Sequence, residues 1–99
     1  MNKLNPIRSK KYMEWVKTLP SCVSGKSPCD AHHIKVPGFG GTSKPSDLFV
    51  IPLTRDEHQE FHQIGWTSFE DKYNIDQLRE VLKTIELAAQ TGIIEVVGI

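Results

Sequence analysis

Only two cysteines, Cys22 and Cys29, occur in the 99 residues, too few for a disulfide scaffold. In a reducing compartment they read as thiols or zinc ligands before they read as a bridge. No apolar run approaches the roughly 20 residues that a membrane-crossing helix needs. The opening residues, Met1-Asn2-Lys3-Leu4-Asn5-Pro6, lack the apolar stretch of a signal peptide. No membrane association and a cytoplasmic location are therefore expected. Internal repeats and low-complexity segments are missing as well, which argues against a solenoid or a disordered tail. An excess of charge of one sign is also lacking. The formal net charge is zero, which taken alone argues against a general polyanion binder.

What is present fits one small folded domain, residues 1–99. A chain of this length buries only about 60–65% of its unfolded surface, so the core is thin and a bound metal ion would add useful stability. The charge that cancels overall is unevenly placed. Residues 1–55 carry nine Lys/Arg and three acids, whereas residues 56–99 carry three Lys/Arg and nine acids. Such asymmetry points either to a half that faces a polyanion or to two oppositely charged faces that attract each other.

Periodicity predicts a first helix over residues 9–18. Tyr12, Trp15, Val16 and Leu19 form one apolar stripe, and Leu19-Pro20 ends it. Residues 20–30 have loop composition. Ala31–Val36 reads as a strand, and Asp47–Leu53 as a second, β-branched one. Between them lies the glycine-rich connection Pro37–Ser46, so an antiparallel pair is expected. Thr54-Arg55-Asp56-Glu57 has the capping-box pattern at the start of a helix, which runs to about Ile64 and stops at Gly65. A C-terminal helical part covers 68–91: a short helix near Ser68–Tyr73, then a long one over Asp76–Gln90. Leu78, Val81, Leu82, Ile85 and Ala89 are the expected buried face of the long helix. Ile93–Val97 is either a short strand or a packed tail.

All four histidines fall in the strand–loop–strand–helix centre. His58 and His62 are four apart on the capped helix, which puts both imidazoles on one face within reach of one ion. His32 and His33 are neighbours on a strand, so they point to opposite faces. If one is a metal ligand, the other is free to act as a base.

Ala31-His32-His33-Ile34, the glycine-rich loop, Asp47-Leu48-Phe49-Val50 and Glu57-His58-Gln59-Glu60-Phe61-His62 together resemble the HNH nuclease motif, the ββα-metal or His-Me finger. The match over residues 31–62 is similar to the nuclease domains of DNA-cleaving colicins. It is closer to the small phage and prophage HNH proteins of the Ref type, the RecA-dependent nuclease group. Those share a helix ending in Leu-Pro before a Cys, a His-His-Ile strand and the Lys44-Pro45-Ser46-Asp47-Leu48 entry to the second strand. This weaker similarity extends over residues 9–76 and takes in Trp66, Phe69, Tyr73 and Ile75-Asp76.

The resemblance implies an α+β fold with a ββα-metal core (residues 31–64), flanked by an N-terminal helix and C-terminal helices. It also implies a DNA phosphodiester hydrolase. His32, His58 and His62 would hold a divalent ion, and His33 would be the general base. Asp47 stands where the family has its central Asn. An ionised Asp accepts hydrogen bonds but cannot donate them, so here it would orient His33. An imidazole, with its ordinary pKa of about 6.5, is suited to take a proton from water near neutral pH. Lys35, Lys44 and Arg55 are candidate phosphate contacts. Three imidazoles suit Zn²⁺, while Mg²⁺, Mn²⁺ or Ni²⁺ fit catalytic use in this family. DNA is the implied partner, with a RecA-like recombinase filament implied by the Ref-type likeness. The resemblance also implies 5′-phosphate and 3′-hydroxyl products and a role in phage or prophage DNA processing.

Many HNH proteins carry a structural zinc on two Cys-x-x-Cys pairs. Here six residues separate Cys22 from Cys29, no second pair exists, and Thr54 stands where relatives often have a cysteine. Buried or loop thiols are expected instead. The competing functional reading is a non-catalytic phage protein, stabilised by the metal, that binds nucleic acid or a partner.

Overall fold

A computed structural model describes residues 5–39 and 44–98. Met1–Leu4 and the stretch Gly40, Gly41, Thr42 and Ser43 of the glycine-rich connection lie outside the described residues. Among the described residues the fold is mixed α+β, with four helices and one two-stranded antiparallel sheet.

Helix α1 spans Lys10–Val16. The Ser9 hydroxyl caps it by accepting from the Tyr12 backbone N–H at 3.1 Å. Tyr12 and Val16, one turn apart, are its buried residues. Strand β1 is Asp30–His33 and strand β2 is Val50–Leu53. Their register pairs Asp30 with Leu53, His32 with Ile51 and His33 with Val50.

Both strands are shorter than the composition predicts. Asp47–Phe49 forms a turn rather than the start of β2. The Ser46 side chain and carbonyl accept from the N–H groups of Leu48 and Phe49 at 3.2 and 3.0 Å, which draws the backbone away from the ladder. The Asp47 N–H is spent on the Ile7 carbonyl at 2.9 Å. Pairing continues one step past β1 through Ile34 N–H to Phe49 O at 2.7 Å.

Side chains directly opposite one another share a sheet face. One face therefore carries Asp30, His32, Ile51 and Leu53, and the other carries Ala31, His33, Val50 and Pro52. On the first, Ile51 and Leu53 join Ile34, Phe69 and Val81 in a core cluster. On the second, Val50 packs with Tyr12, Val16 and Ala88, with Ala31 against them. Strand β2 is covered on both faces, and all four of its residues are buried.

Helix α2 (Arg55–Ile64) begins with the complete capping box: Thr54 Oγ1 accepts from Glu57 N–H, and Glu57 Oε1 accepts from Thr54 N–H. Gly65, at φ 86°, ends it and turns the chain into α3 (Trp66–Tyr73). That positive φ favours glycine and sets the angle between the two helices. Helix α3 begins two residues earlier than the composition predicts. It supplies Phe69, which has no exposed surface.

Helix α4 (Gln77–Gln90) is N-capped by Asp76. Its buried residues are Gln77, Val81, Thr84 and Ala88, whereas the apolar pattern predicts Leu78, Val81, Leu82, Ile85 and Ala89. Leu78 and Ile85 are partly buried, but Leu82 is 67% exposed. Val81 lies in the first cluster, Ala88 in the second, and Ile85 packs against both. The small residues 84 and 88 thus belong to the buried face, and the longer Leu82 is turned outward. Residues 93–97 form no strand. Ile93 and Ile94 bond back to the Ala88 carbonyl and pack on the second cluster, so the packed tail is the observed alternative for these two. Val96 and Val97 are exposed. Among the described residues no helix is long and apolar enough to cross a membrane.

Candidate metal centre

The sheet face that carries His32 looks onto α2. Strand alternation points the His32 ring at the helix, and the four-residue spacing of His58 and His62 points both of their rings back. The His32 ring centroid lies 4.5 Å from that of His58 and 5.6 Å from that of His62, and the two helix histidines are 4.9 Å apart. One ring nitrogen from each of the three lies within 4.8 Å of the others. The predicted ligand trio is therefore brought together.

The three differ in setting. His32 is buried, His58 half-buried and His62 exposed. Phe61 stacks edge-on against His32 at 4.4 Å, closing the apolar side of the site. Burial pushes the His32 pKa down to about 3, and charge on His58, His62 and His33 acts in the same direction. The ring is thus held neutral, the form that ligates a metal. Its Nε2 is buried and, among the described residues, has no hydrogen-bond partner. An orphaned buried polar atom is costly unless something satisfies it, and a divalent ion between the three rings would do so. The donor set, three imidazoles, suits a transition ion and leaves coordination positions open. The residues present fit a metal.

His58 has a further partner that the sequence reading passes over. Its Nδ1 lies 3.1 Å from Asp30 Oδ2. Asp30 also accepts from Arg55 Nε at 2.8 Å and from Arg55 Nη2 at 3.1 Å. The Arg55 hydrogen bonds hold the Asp30 pKa below the usual carboxylate range, outweighing partial burial, with His58 helping. Strand periodicity carries the signal for this residue: Asp30 is two positions before His32 and so lies on the same sheet face.

His33 sits on the other face, as the alternation predicts. Its Nε2 is 2.9 Å from Asp47 Oδ1. Asp47 is buried, and its second oxygen accepts from the Ser9 backbone N–H at 2.8 Å. Burial alone would raise its pKa, but the bonds from His33 and Ser9, with the charges of His33 and Lys44, hold it below the ordinary value. An ionised carboxylate can only accept, so Nε2 of His33 carries a proton, and in the neutral ring the lone pair is on Nδ1. Arg8 braces the same corner, donating to the carbonyls of Pro45 and Lys44 at 2.7 and 2.8 Å and approaching Asp47 Oδ1 at 3.5 Å. Nothing in the local sequence pattern marks Arg8 or Ser9, because both meet Asp47 across almost forty positions.

Of the three predicted phosphate contacts, Lys35 and Lys44 are exposed. The Arg55 side chain is 73% exposed but engaged with Asp30. Cys22 and Cys29 are free thiols, half-buried and buried. Desolvation, then the charges of Glu80 and Glu57, push Cys22 up to about 12, and burial raises Cys29 as well. Both are thus protonated thiols in the metal-free protein. Among the described residues neither joins a metal-competent cluster. The loop that carries them is pinned to α2 instead by Ser21, whose hydroxyl donates to Glu57 Oε1 at 2.6 Å.

Comparison with known proteins places the whole site inside one shared region. Residues 1–92 match the family described as "protein of unknown function (DUF968)". The uncharacterized protein YdfU of Escherichia coli (strain K12) is 41% identical over 85 residues. That alignment covers 85% of this chain and 24% of YdfU, so the chain spans about a quarter of that relative's length. No solved structure matches the chain. The family match takes in both strands, all four helices and every histidine, and on that extent the chain belongs to the DUF968 family.

Proposed function

We propose that this domain is a metal-dependent endonuclease of the HNH type, hydrolysing DNA phosphodiester bonds. The observation that carries the reading is the division of the histidines by sheet face. Three converge on one point, and the fourth, adjacent in the chain, faces the other way against a buried carboxylate. The order of two antiparallel strands and a helix bearing paired histidines supports the finer assignment to a ββα-metal core.

His32, His58 and His62 would hold the ion. When bound, a divalent ion supplies positive charge to a phosphate oxygen and to the departing 3′-oxygen. The chain's own residues do the rest. His33 takes a proton from water at Nδ1 while its Nε2–H stays bonded to Asp47. The buried Asp47 carboxylate steadies the imidazolium so formed and fixes the ring's tautomer. The water oxygen bonds to phosphorus, the P–O3′ bond breaks, and the 3′-oxygen leaves with a proton from solvent. Products bear 5′-phosphate and 3′-hydroxyl ends. Lys35 and Lys44 would contact backbone phosphates, giving affinity without reading sequence. In a phage or prophage setting such a nuclease would serve recombination or DNA processing, alone or on a RecA-like filament.

Supercoiled plasmid incubated with Mg²⁺, Mn²⁺, Ni²⁺ or Zn²⁺ tests the proposal. Wild type should nick it in a metal-dependent way. His33→Ala should lose roughly 10²–10⁴-fold in rate, the usual contribution of a positioned base, and keep its metal affinity. His58→Ala should lose both. Absence of metal-dependent nicking by wild type with every ion sinks the enzyme reading.

A further inference from the structure

Arg55, Asp30 and His58 form a relay across the strand–helix junction that the nuclease reading does not use. Arg55 is the first residue of α2, and His58 lies on the same helix three positions on. Asp30 opens β1, on the sheet face that carries His32. The two Arg55 bonds, at 2.8 and 3.1 Å, grip both carboxylate oxygens, and Oδ2 then accepts from His58 Nδ1 at 3.1 Å. A carboxylate held by a guanidinium accepts and does not donate, so Nδ1 of His58 carries a proton. In the neutral ring that a metal requires, the lone pair is then on Nε2, on the opposite side of the ring.

We infer that Asp30 is a positioning residue for the metal site, fixing the His58 ring and tautomer so that Nε2 is the ligating atom, and that Arg55 acts through Asp30 rather than on DNA. The inference rests on the metal reading of the three histidines, but not on nuclease activity. Carboxylates bonded to ligand histidines typically account for 10–100-fold of metal affinity. His32 already has a fixed environment through burial, and His62 is exposed. His58 is thus the ligand whose orientation depends on a polar partner. The arrangement also gives Arg55, one of the three candidate phosphate contacts, a different task.

Two measurements on the purified 99-residue chain test this. The first is Ni²⁺ and Zn²⁺ affinity by competition with a chromophoric chelator, with folding checked by circular dichroism. Asp30→Ala should weaken binding by about 10–100-fold. Asp30→Asn, which keeps an acceptor oxygen but loses the charge, should weaken it less, and Arg55→Ala less than Asp30→Ala. The double variant should be no weaker than Asp30→Ala alone, because residues acting in series are not additive. The second is the ring-nitrogen NMR spectrum of metal-free wild type, which needs no variant to fold. His58 should show the Nδ1–H tautomer. Wild-type affinity retained in folded Asp30→Ala, additive losses in the double variant, or an Nε2–H tautomer at His58 would each overturn the inference while leaving the histidine trio standing. Failure of wild type to bind either ion overturns the trio itself, and the inference with it.

Discussion

Asp47 is asked to do two things at once, and they separate experimentally. It accepts from His33, which bears on chemistry, and from the Ser9 N–H at the start of α1, which bears on folding. Asp47→Asn keeps the shape and one acceptor oxygen but removes the charge that steadies an imidazolium. Cleavage should fall by roughly 10- to 100-fold, part of what general-base catalysis is worth, with little change in the urea midpoint. Asp47→Ala leaves a backbone donor and a ring N–H without partners. Such orphaned groups cost about 1–3 kcal/mol each, so this variant should lose both rate and stability. Equal rates for Asp47→Asn and wild type would remove Asp47 from the mechanism.

His32 sets the pH behaviour of the metal-free protein. Its folded pKa is about 3, against 6.5 for a free histidine. The folded state therefore resists a proton that the unfolded chain accepts. His32's contribution to stability is complete above pH 6.5 and is lost as pH falls from there toward 3. The slope approaches one proton, about 1.4 kcal/mol per pH unit. Asp30 and Asp47, with depressed pKa values, add their own loss only at pH near 4 and below. Urea denaturation in chelator between pH 4 and 8 should show the decline beginning near 6.5 in wild type, and a flatter profile in His32→Leu. A bound ion occupies the lone pair, so the metal-loaded protein should hold its stability further into acid.

Among the elements, α2 matters most, because two of the three proposed ligands ride on it. Its N-terminus is fixed twice, by the Thr54–Glu57 box and by the Ser21–Glu57 bond to the cysteine loop. Thr54→Ala should cost about 1 kcal/mol in urea denaturation and weaken metal binding with it, since His58 lies in the first turn and a half. Unchanged metal affinity in a measurably destabilised Thr54→Ala would show that the cap acts on folding alone.

That box was legible in sequence, as were the histidine spacing and the opposed faces of His32 and His33, because each depends only on local periodicity. Asp30 was legible by the same rule, at two positions from His32. The Arg8 and Ser9 contacts to Asp47 were not, because tertiary packing makes them. Nor was the full buried face of α4, although Val81 was correctly expected there. Leu78, Val81, Leu82 and Ile85 offer more than one apolar stripe, and the helix seats the one that includes the small Thr84 and Ala88, leaving Leu82 outside. The early end of β1 and late start of β2 follow from Ser46 capturing backbone N–H groups, a competition that strand composition does not report.

At the scale of the whole molecule, the sheet among the described residues is two strands wide and divides the core into two small clusters. Helix α2 lies on the sheet yet buries no residue fully. Its place depends on half-buried Phe61 and on polar links: Arg55 to Asp30, and Glu60 to Lys72 and Tyr73 of α3. Exposed ion pairs of this kind contribute little individually. An ion held by His32 from β1 and by His58 and His62 from α2 would cross-link sheet to helix where apolar packing is sparse. A ligand that binds only the folded state stabilises it by RT ln(1 + [L]/Kd), about 2.7 kcal/mol at one hundred times Kd. Saturating Zn²⁺ or Ni²⁺ should therefore raise the urea midpoint of wild type by a corresponding amount, and chelator should reverse the rise. His58→Ala and His62→Ala should lose most of this response, whereas His33→Ala should keep it in full. A His33→Ala midpoint that no longer responds to metal would place His33 among the ligands and undo the assignment by sheet face. A response kept in all three variants would locate the ion elsewhere on the chain.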